Sequence, residues 1–342
     1  MPRVSIIVPC RNERQHLDAF AGSVLAQSLP EGWTLEIVVA DGMSDDGTRA
    51  ALTELAAGDP RFAFVDNPER IVSAGLNRAL RASGGEVAVR MDVHTEYARD
   101  YVAECLAALE ATGADNVGGP WRAVADAQGG PLQAAAAATF QSRWVAGGAL
   151  SRRLDYDGLA DTVYLGAWPR KTFDRFGGFD EALVRNQDDE HNLRIVKGGG
   201  RIWQSSRIRS SYRPRARLVQ VFRQYLQYGY WKPFVMKKHG QPARLRHLVP
   251  ALFVAGVVLL GLGALVGLGA RPLLALLGAY AAAVAAMSAA VLVAAPQPAA
   301  VALRVPAVIV AYHLAYGIGT LLGAFDALVH GHGRERFAEL TR

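Results

Sequence analysis

Cysteine is scarce in this chain: its 342 residues include 2 Cys. Two thiols, Cys10 and Cys105, cannot supply a disulfide framework, so the fold must rest on a buried apolar core, and a reducing compartment suits it. A secretory signal is also missing, because the apolar stretch at residues 4–8 is too short and Arg11 interrupts it. No cleaved leader is expected. The last absence is local. Between residues 248 and 324 charge almost vanishes, with Arg271 and Arg304 the exceptions, and Ala, Leu, Val and Gly dominate. Such a stretch has no polar face to offer to water.

It divides into three apolar runs, 248–269, 272–295 and 301–324, broken at Arg271-Pro272 and at Pro296-Gln297-Pro298. Each is near the roughly 20 residues that cross a bilayer core. Arg304 lies close enough to the start of the third run to snorkel to the headgroups. Lys232, Lys237, Lys238, Arg244 and Arg246, with His247 beside them, precede the first run, which places that side in the cytoplasm by the positive-inside rule. Three spans would put the tail outside, yet it carries Arg334, Arg336 and Arg342 against Glu335 and Glu339. Either that bias is too small to matter or one run is re-entrant. The formal net charge of +6 needs no nucleic acid, since the basic residues crowd between 201 and 246, where anionic lipid and a phosphate-bearing substrate are nearer explanations.

Before residue 214 the pattern changes to short apolar strands alternating with amphipathic helices, the rhythm of an α/β sheet with right-handed crossovers. Strands are expected at 4–8, 35–40, 62–65 and 86–91, with helices at 16–27, 48–57 and 73–82 between them. In open sheets of this kind ligands sit beyond the carboxyl ends of strands. Three such ends are polar: 10–13, 41–48 and 92–94. At the last of them Asp92 and His94 alternate on an extended segment and share one face, with Val93 turned to the core. A carboxylate and an imidazole suit Mn²⁺ or Mg²⁺ with positions left for phosphate oxygens. A second acidic cluster, Gln187-Asp188-Asp189-Glu190-His191, reads as a helix entry that keeps Asp188 ionised and fit to act as a general base. Asp189 is the alternative base. An acidic helix start without chemistry is the bland reading. His191 is a further candidate for the ion, or else a surface or phosphate-facing residue. Asp46 and Thr48 read as a turn and a helix cap rather than as ligands.

The stretches VSIIVPCRNE, VVADGMSDDGTR, MDVHTEY and GGFDEALVRNQDDEHNLRIVKGGGRIW together resemble the ordered motifs of family 2 glycosyltransferases over residues 3–210. Within that family the chain resembles the ExoA-type subgroup of succinoglycan biosynthesis, whose members carry a membrane-embedded C-terminus. This resemblance implies an α/β GT-A (Rossmann-like) nucleotide-sugar-binding domain at 1–213, and the alternation of Val, Phe, Tyr and Trp with Arg, Gln and Lys over 217–238 reads as an interfacial basic and aromatic segment at 214–247. Transmembrane helices at 248–324 and a short tail at 325–342 complete the expected organisation. It places Pro9, Asn12 and Glu13 at the lip of a uridine pocket and Asp41 at the uracil edge. The family's DDGS motif is altered here, with Gly42 for its second Asp and Met43 for its Gly.

Asp92 and His94 match the family's Asp-x-Asp metal motif with His for the second acid, which favours Mn²⁺ over Mg²⁺. Asp188 matches the catalytic Asp of a Glu-Asp pair whose Glu is Gln187 here, and Arg194 matches the Arg six residues on. Trp168 and residues 177–180 are expected to frame the donor and acceptor sugars. Trp231 closes Gln227-Tyr228-Gly229-Tyr230-Trp231, which is similar to a Gln-x-x-Arg-Trp motif with Tyr230 in place of Arg, and is expected near the donor. Three spans are too few for a polymer channel, so addition of a single sugar is favoured. The implied activity is inverting, metal-dependent transfer from a UDP-sugar, glucose-type, to a polyprenyl-linked saccharide, in extracellular polysaccharide biosynthesis at the cytoplasmic face of the inner cell membrane. Transfer to polyprenyl phosphate itself, and a non-catalytic nucleotide-binding scaffold, are the alternatives.

Overall fold

The apolar run at 4–8 forms the middle of strand β1 (Arg3–Cys10), with Val4, Ile6, Ile7 and Val8 fully buried in the computed structural model, which describes residues 1–145, 147–240, 245–333 and 337. Burial on both faces makes β1 a central strand. There follow α1 (Arg14–Leu25), β2 (Thr34–Asp41), α2 (Thr48–Gly58), β3 (Phe62–Asp66), α3 (Val72–Ala82) and β4 (Val87–Arg90), each within two residues of where periodicity puts it. Both β2 and β4 pair with β1 in parallel, and β3 extends the sheet beyond β2. Strand order therefore reverses between β1 and β4, the switch point where an open α/β sheet leaves a crevice.

The sheet continues with β5 (Glu96–Tyr97) set apart, α4 (Tyr101–Thr112) and β6 (Asn116–Gly119), then β7 (Gly158–Leu159) and β8 (Tyr164–Pro169). Its order is β3-β2-β1-β4-β8-β6-β9-β7, with β9 at Ile202–Gln204 and β8 antiparallel to both neighbours. A separate pair joins β5 to β10 (Ser210–Ser211). Helices α6 (Arg170–Phe176) and α7 (Gln187–Lys197) cover one face, and Trp168, Phe173, Phe179 and Ile195 fill the core beneath them.

Two compact units result: residues 1–122 with 150–212, and 123–149 with 213–342. The first unit ends at Tyr212 and is not continuous in the chain. The excursion 123–149 contains α5 (Gly130–Gln141), whose Ala135 and Ala136 pack with Val221, Val305 and Val308, and whose Ala136 carbonyl accepts from the Tyr312 hydroxyl at 3.2 Å. Alanine-rich helices carry no strong amphipathic stripe, so periodicity could not assign α5 to a partner.

The second unit also holds α8 (Leu218–His239), α9 (Val249–Leu265), α10 (Arg271–Ala294), α11 (Ala299–Ala302) and α12 (Val305–Val329). Three stretches, Leu245–Leu265, Arg271–Ala294 and Ala299–Val329, are long and apolar enough to cross a membrane. The third is longer than the expected 301–324 and takes in Asp326. The stretch expected to be interfacial, 214–247, contains α8, which packs closely on α12. A Cβ on Gly319 or Gly323 would overlap the carbonyls of Leu226 or Tyr230, and one on Gly229 would overlap that of Tyr316. Small residues spaced by four let two backbones approach in this way. Across the contact Tyr230 donates to Asp326 at 2.7 Å and the Lys237 ammonium to the Ala327 carbonyl at 2.6 Å. Arg244 and the charged tail residues Arg334, Glu335, Arg336, Glu339 and Arg342 lie outside the described residues.

Candidate active site

At the carboxyl end of β4 the chain leaves the sheet and turns. The Thr95 N–H donates to the Asp92 carbonyl at 3.1 Å, so Asp92 and His94 sit in a turn and not on the extended segment that their spacing suggests. Val93 is buried as expected. The Asp92 carboxylate is met by Arg90, the last residue of β4, whose Nε and Nη2 donate to its two oxygens at 2.9 and 3.0 Å. Arg90 is only 6% exposed, and a buried guanidinium requires such a partner. Burial tends to release its proton, but the Asp92 charge and hydrogen bonds, then the Asp188 charge, more than offset this and raise its pKa. Arg90 thus lies in the field of both acids that sequence reasoning singled out, although they stand 96 positions apart. Tyr97 and Tyr164 line the same place: Tyr97 Oη accepts from the Asp92 N–H at 2.6 Å, and Tyr164 Oη is 3.1 Å from Thr95 Oγ1. Burial, and after it the Asp92 charge, pushes both phenols well above their usual pKa.

The loop after β1 faces this turn. His94 Nδ1 lies 3.3 Å from Glu13 Oε1, a contact that spacing gave no sign of. Asn12, in the left-handed region that Asn tolerates, ties the loop after β1 to the loop after β2. Its N–H donates to Ser44 Oγ at 2.9 Å, its amide to Asp45 at 2.9 Å, and its carbonyl oxygen accepts from the Asp45 N–H at 3.0 Å. Pro9, at the end of β1, is half-buried beside Ala40 of β2. Asp41 is 0% exposed, its oxygens taken by Ser44 Oγ at 2.6 Å and Arg49 Nη1 at 3.0 Å. A base edge reaching it must first displace Ser44. Asp46 accepts from the Thr48 and Arg14 N–H groups, the turn role read for it.

Asp188 and Asp189 open α7 and are half-buried, with the Asp189 N–H donating to Asp188 Oδ1 at 2.9 Å. Arg194 turns back along the helix. It forks onto Glu190 at 3.2 and 2.7 Å and donates to the carbonyls of Phe176 and Gly178, so it braces the 176–178 loop against α7. Three expectations change. His191 is fully buried between Trp168, Phe173 and Phe179, with Nε2 3.1 Å from the Gly177 carbonyl and Nδ1 without a partner, and burial lowers its pKa to about 4. It is a neutral core residue, not a metal ligand and not phosphate-facing. Trp168 and Phe179 are its core neighbours rather than walls of a sugar pocket. Trp231 is 4% exposed within the second unit, where its ring packs on Phe234 and its N–H donates to the Phe337 carbonyl at 3.1 Å. A sugar or nucleotide therefore has no open indole face to meet there.

Comparison with known proteins decides the family. A model of glycosyl transferase family 2 matches residues 5–157, and the chain is 34% identical over 247 residues to succinoglycan biosynthesis protein ExoA of Rhizobium meliloti, covering 72% of this chain and 73% of that one. The chain belongs to glycosyltransferase family 2. Another relative of the enzyme, at 22% identity over 69% of this chain and 74% of its own, is the dolichyl N-acetyl-α-D-glucosaminyl phosphate 3-β-D-2,3-diacetamido-2,3-dideoxy-β-D-glucuronosyltransferase of Methanococcus voltae. The GT-A fold is shared with the mannosyltransferase PcManGT of Pyrobaculum calidifontis, solved with GDP-Man and Mn²⁺, at a TM-score of 0.56 and 22% identity, covering 96% of this chain and 88% of that one.

Among the described residues of this glycosyltransferase, no group of three or more His, Cys, Asp or Glu side chains is set to enclose a metal. What it has is one carboxylate on the β4 turn and an imidazole beside a second carboxylate. That oxygen-rich, incomplete donor set fits a divalent ion whose remaining positions are filled by phosphate oxygens. The residues sequence reasoning missed are Arg90, Tyr97 and Tyr164. For Arg90 the sign was available: a basic residue inside an otherwise apolar strand needs a buried anion.

Proposed function

We propose that this glycosyltransferase moves one sugar from a UDP-sugar, glucose-type, to a lipid-linked saccharide at the cytoplasmic face of the inner cell membrane, with inversion, in the building of an extracellular polysaccharide. The Arg90 bridge carries the reading. Its guanidinium holds Asp92, the carboxylate matched to the family's metal motif, and lies in the field of Asp188, the carboxylate matched to its base, and transfer requires both functions within the length of one substrate. Asp188 takes the proton of the acceptor hydroxyl, with Asp189 as the alternative. The freed oxygen attacks the anomeric carbon from the side opposite UDP, the C–O bond to UDP breaks, and UDP leaves with the electron pair. Asp92 and His94, with Glu13 beside them, would hold Mn²⁺ or Mg²⁺, whose charge offsets that of the departing diphosphate. Pro9, Asn12 and Glu13 shape the lip for the uridine, with Asp41 reached through Ser44. Arg194 keeps α7 and its acids in position.

The acceptor class is supported by three helices long and apolar enough to span a bilayer, and by a relative whose name specifies a dolichyl-phosphate-linked acceptor. Detergent-solubilised full-length protein, offered a panel of nucleotide-sugars and extracted lipid-linked oligosaccharides, should yield one added sugar of inverted anomeric configuration by mass spectrometry and NMR. Product on bare polyprenyl phosphate would move the acceptor assignment. UDP binding without any turnover would make the protein a scaffold.

A further inference from the structure

We infer that Arg90 is a built-in counter-cation that withholds Asp92 from a lone divalent ion and releases it when the ion arrives with a nucleotide diphosphate. The inference rests on the reading of Asp92 as a ligand of that ion. Three features of the turn support it.

First, the guanidinium fork covers both carboxylate oxygens at 2.9 and 3.0 Å, the bidentate geometry in which Arg binds carboxylate best. Among the described residues, Arg90 makes its side-chain hydrogen bonds to Asp92 alone. An incoming cation must share both oxygens with a positive charge already seated on them.

Second, Asp92 is anchored from its backbone. Its N–H donates to Tyr97 Oη at 2.6 Å, and its carbonyl accepts from Tyr97 Oη and from the Thr95 N–H, each at 3.1 Å. Those bonds hold the main chain of Asp92 on the turn, so the pair opens only by a side-chain movement that parts the guanidinium from the carboxylate.

Third, that parting leaves a buried guanidinium without its anion, which is strongly unfavourable unless another anion takes over. A bare ion brings only positive charge and makes this worse. A diphosphate brings enough negative charge for both cations, and Asp188 already adds its charge to the field at Arg90. Metal and nucleotide should therefore bind as a coupled pair, and such coupling is reciprocal.

The test is Mn²⁺ binding to detergent-solubilised full-length protein, followed by the EPR signal of free Mn²⁺ with and without UDP. In the wild type, UDP should raise Mn²⁺ affinity by about tenfold or more, the usual scale of coupling between two sites. Arg90→Met should bind Mn²⁺ alone about tenfold more tightly than the wild type, and the enhancement by UDP should shrink. Arg90→Lys keeps the charge and loses the fork, so it should fall between the two and serves if the Met variant does not fold. Adding Asp92→Asn to Arg90→Met should abolish the gain. An unchanged or weaker affinity for Mn²⁺ alone in both Arg90 variants overturns the inference while wild-type binding keeps the metal reading intact. Absence of Mn²⁺ binding in every protein, with UDP or without, removes both.

Discussion

Asp188 and His191 stand three positions apart on α7, and the helix sends them to opposite environments: the acid half-buried at the N-terminal turn, the imidazole into an aromatic core. Asp188→Asn should retain UDP binding by calorimetry while turnover falls about 10²-fold or more, the scale of a lost general base. A comparable fall in Asp189→Asn, with normal turnover in Asp188→Asn, would reverse the assignment. His191 makes a different prediction. Its folded-state pKa is depressed from 6.5 to about 4, so protons favour the unfolded chain. Its contribution is intact above pH 6.5 and is lost as the pH falls from 6.5 toward 4, by up to about 3 kcal/mol at the acid end. His191→Phe should flatten that part of the profile in thermal unfolding at a series of pH values, and an identical acid slope would count against this account. On the β4 turn, Asp92→Ala and His94→Ala should each strongly reduce transfer, and EDTA should do so reversibly, with Mn²⁺ restoring activity best. Full turnover of exhaustively chelated wild-type protein would remove the metal from the reaction.

At the scale of elements, the contact between α8 and α12 depends on what is missing from it. Gly229, Gly319 and Gly323 lie where a Cβ would strike the opposing backbone, and backbone cannot step aside as a flexible side chain can. Gly319→Ala and Gly323→Ala should each destabilise the detergent-solubilised protein by about 1–3 kcal/mol, the range for overpacking a tight contact. Gly278 of α10 has nothing within 4 Å of its would-be Cβ, so Gly278→Ala should leave the melting temperature near that of the wild type. Equal effects at all three positions would mean that helix propensity, and not the close approach, sets the response.

For the whole molecule, the chain order matters. Truncation after residue 213 looks like a clean removal of the membrane part, yet it strands α5, whose buried Ala135 and Ala136 belong with Val221, Val305 and Val308. That truncation should express as aggregate or expose its 123–149 excursion to limited proteolysis. Replacing 123–149 by a short Gly/Ser linker in the same truncation should recover a soluble protein that binds UDP but does not glycosylate a lipid-linked acceptor. Transfer to that acceptor at the full-length rate would reduce the helical unit to an anchor.

The alternation of apolar strands with amphipathic helices, and the loss of charge after residue 248, were determined by local sequence alone, because side-chain period and bilayer-length apolar runs are local properties. They suffice for the first seven elements and for three helices long and apolar enough to span a membrane. Motif order was likewise legible, and it led to Asp92, His94 and Asp188. Only the tertiary structure decided that a turn closes at Asp92, that Arg90 occupies its carboxylate, that Glu13 meets His94, and that His191 and Trp231 are buried. Glu13 and His94 are 81 positions apart, and the burial of His191 and Trp231 depends on which face of a helix meets the core, while the turn and the Arg90 pair are short-range but follow from how the chain leaves β4. None of this is written in spacing. The same holds for α5: an alanine helix names no partner, and its place among α8 and α12 is settled by packing.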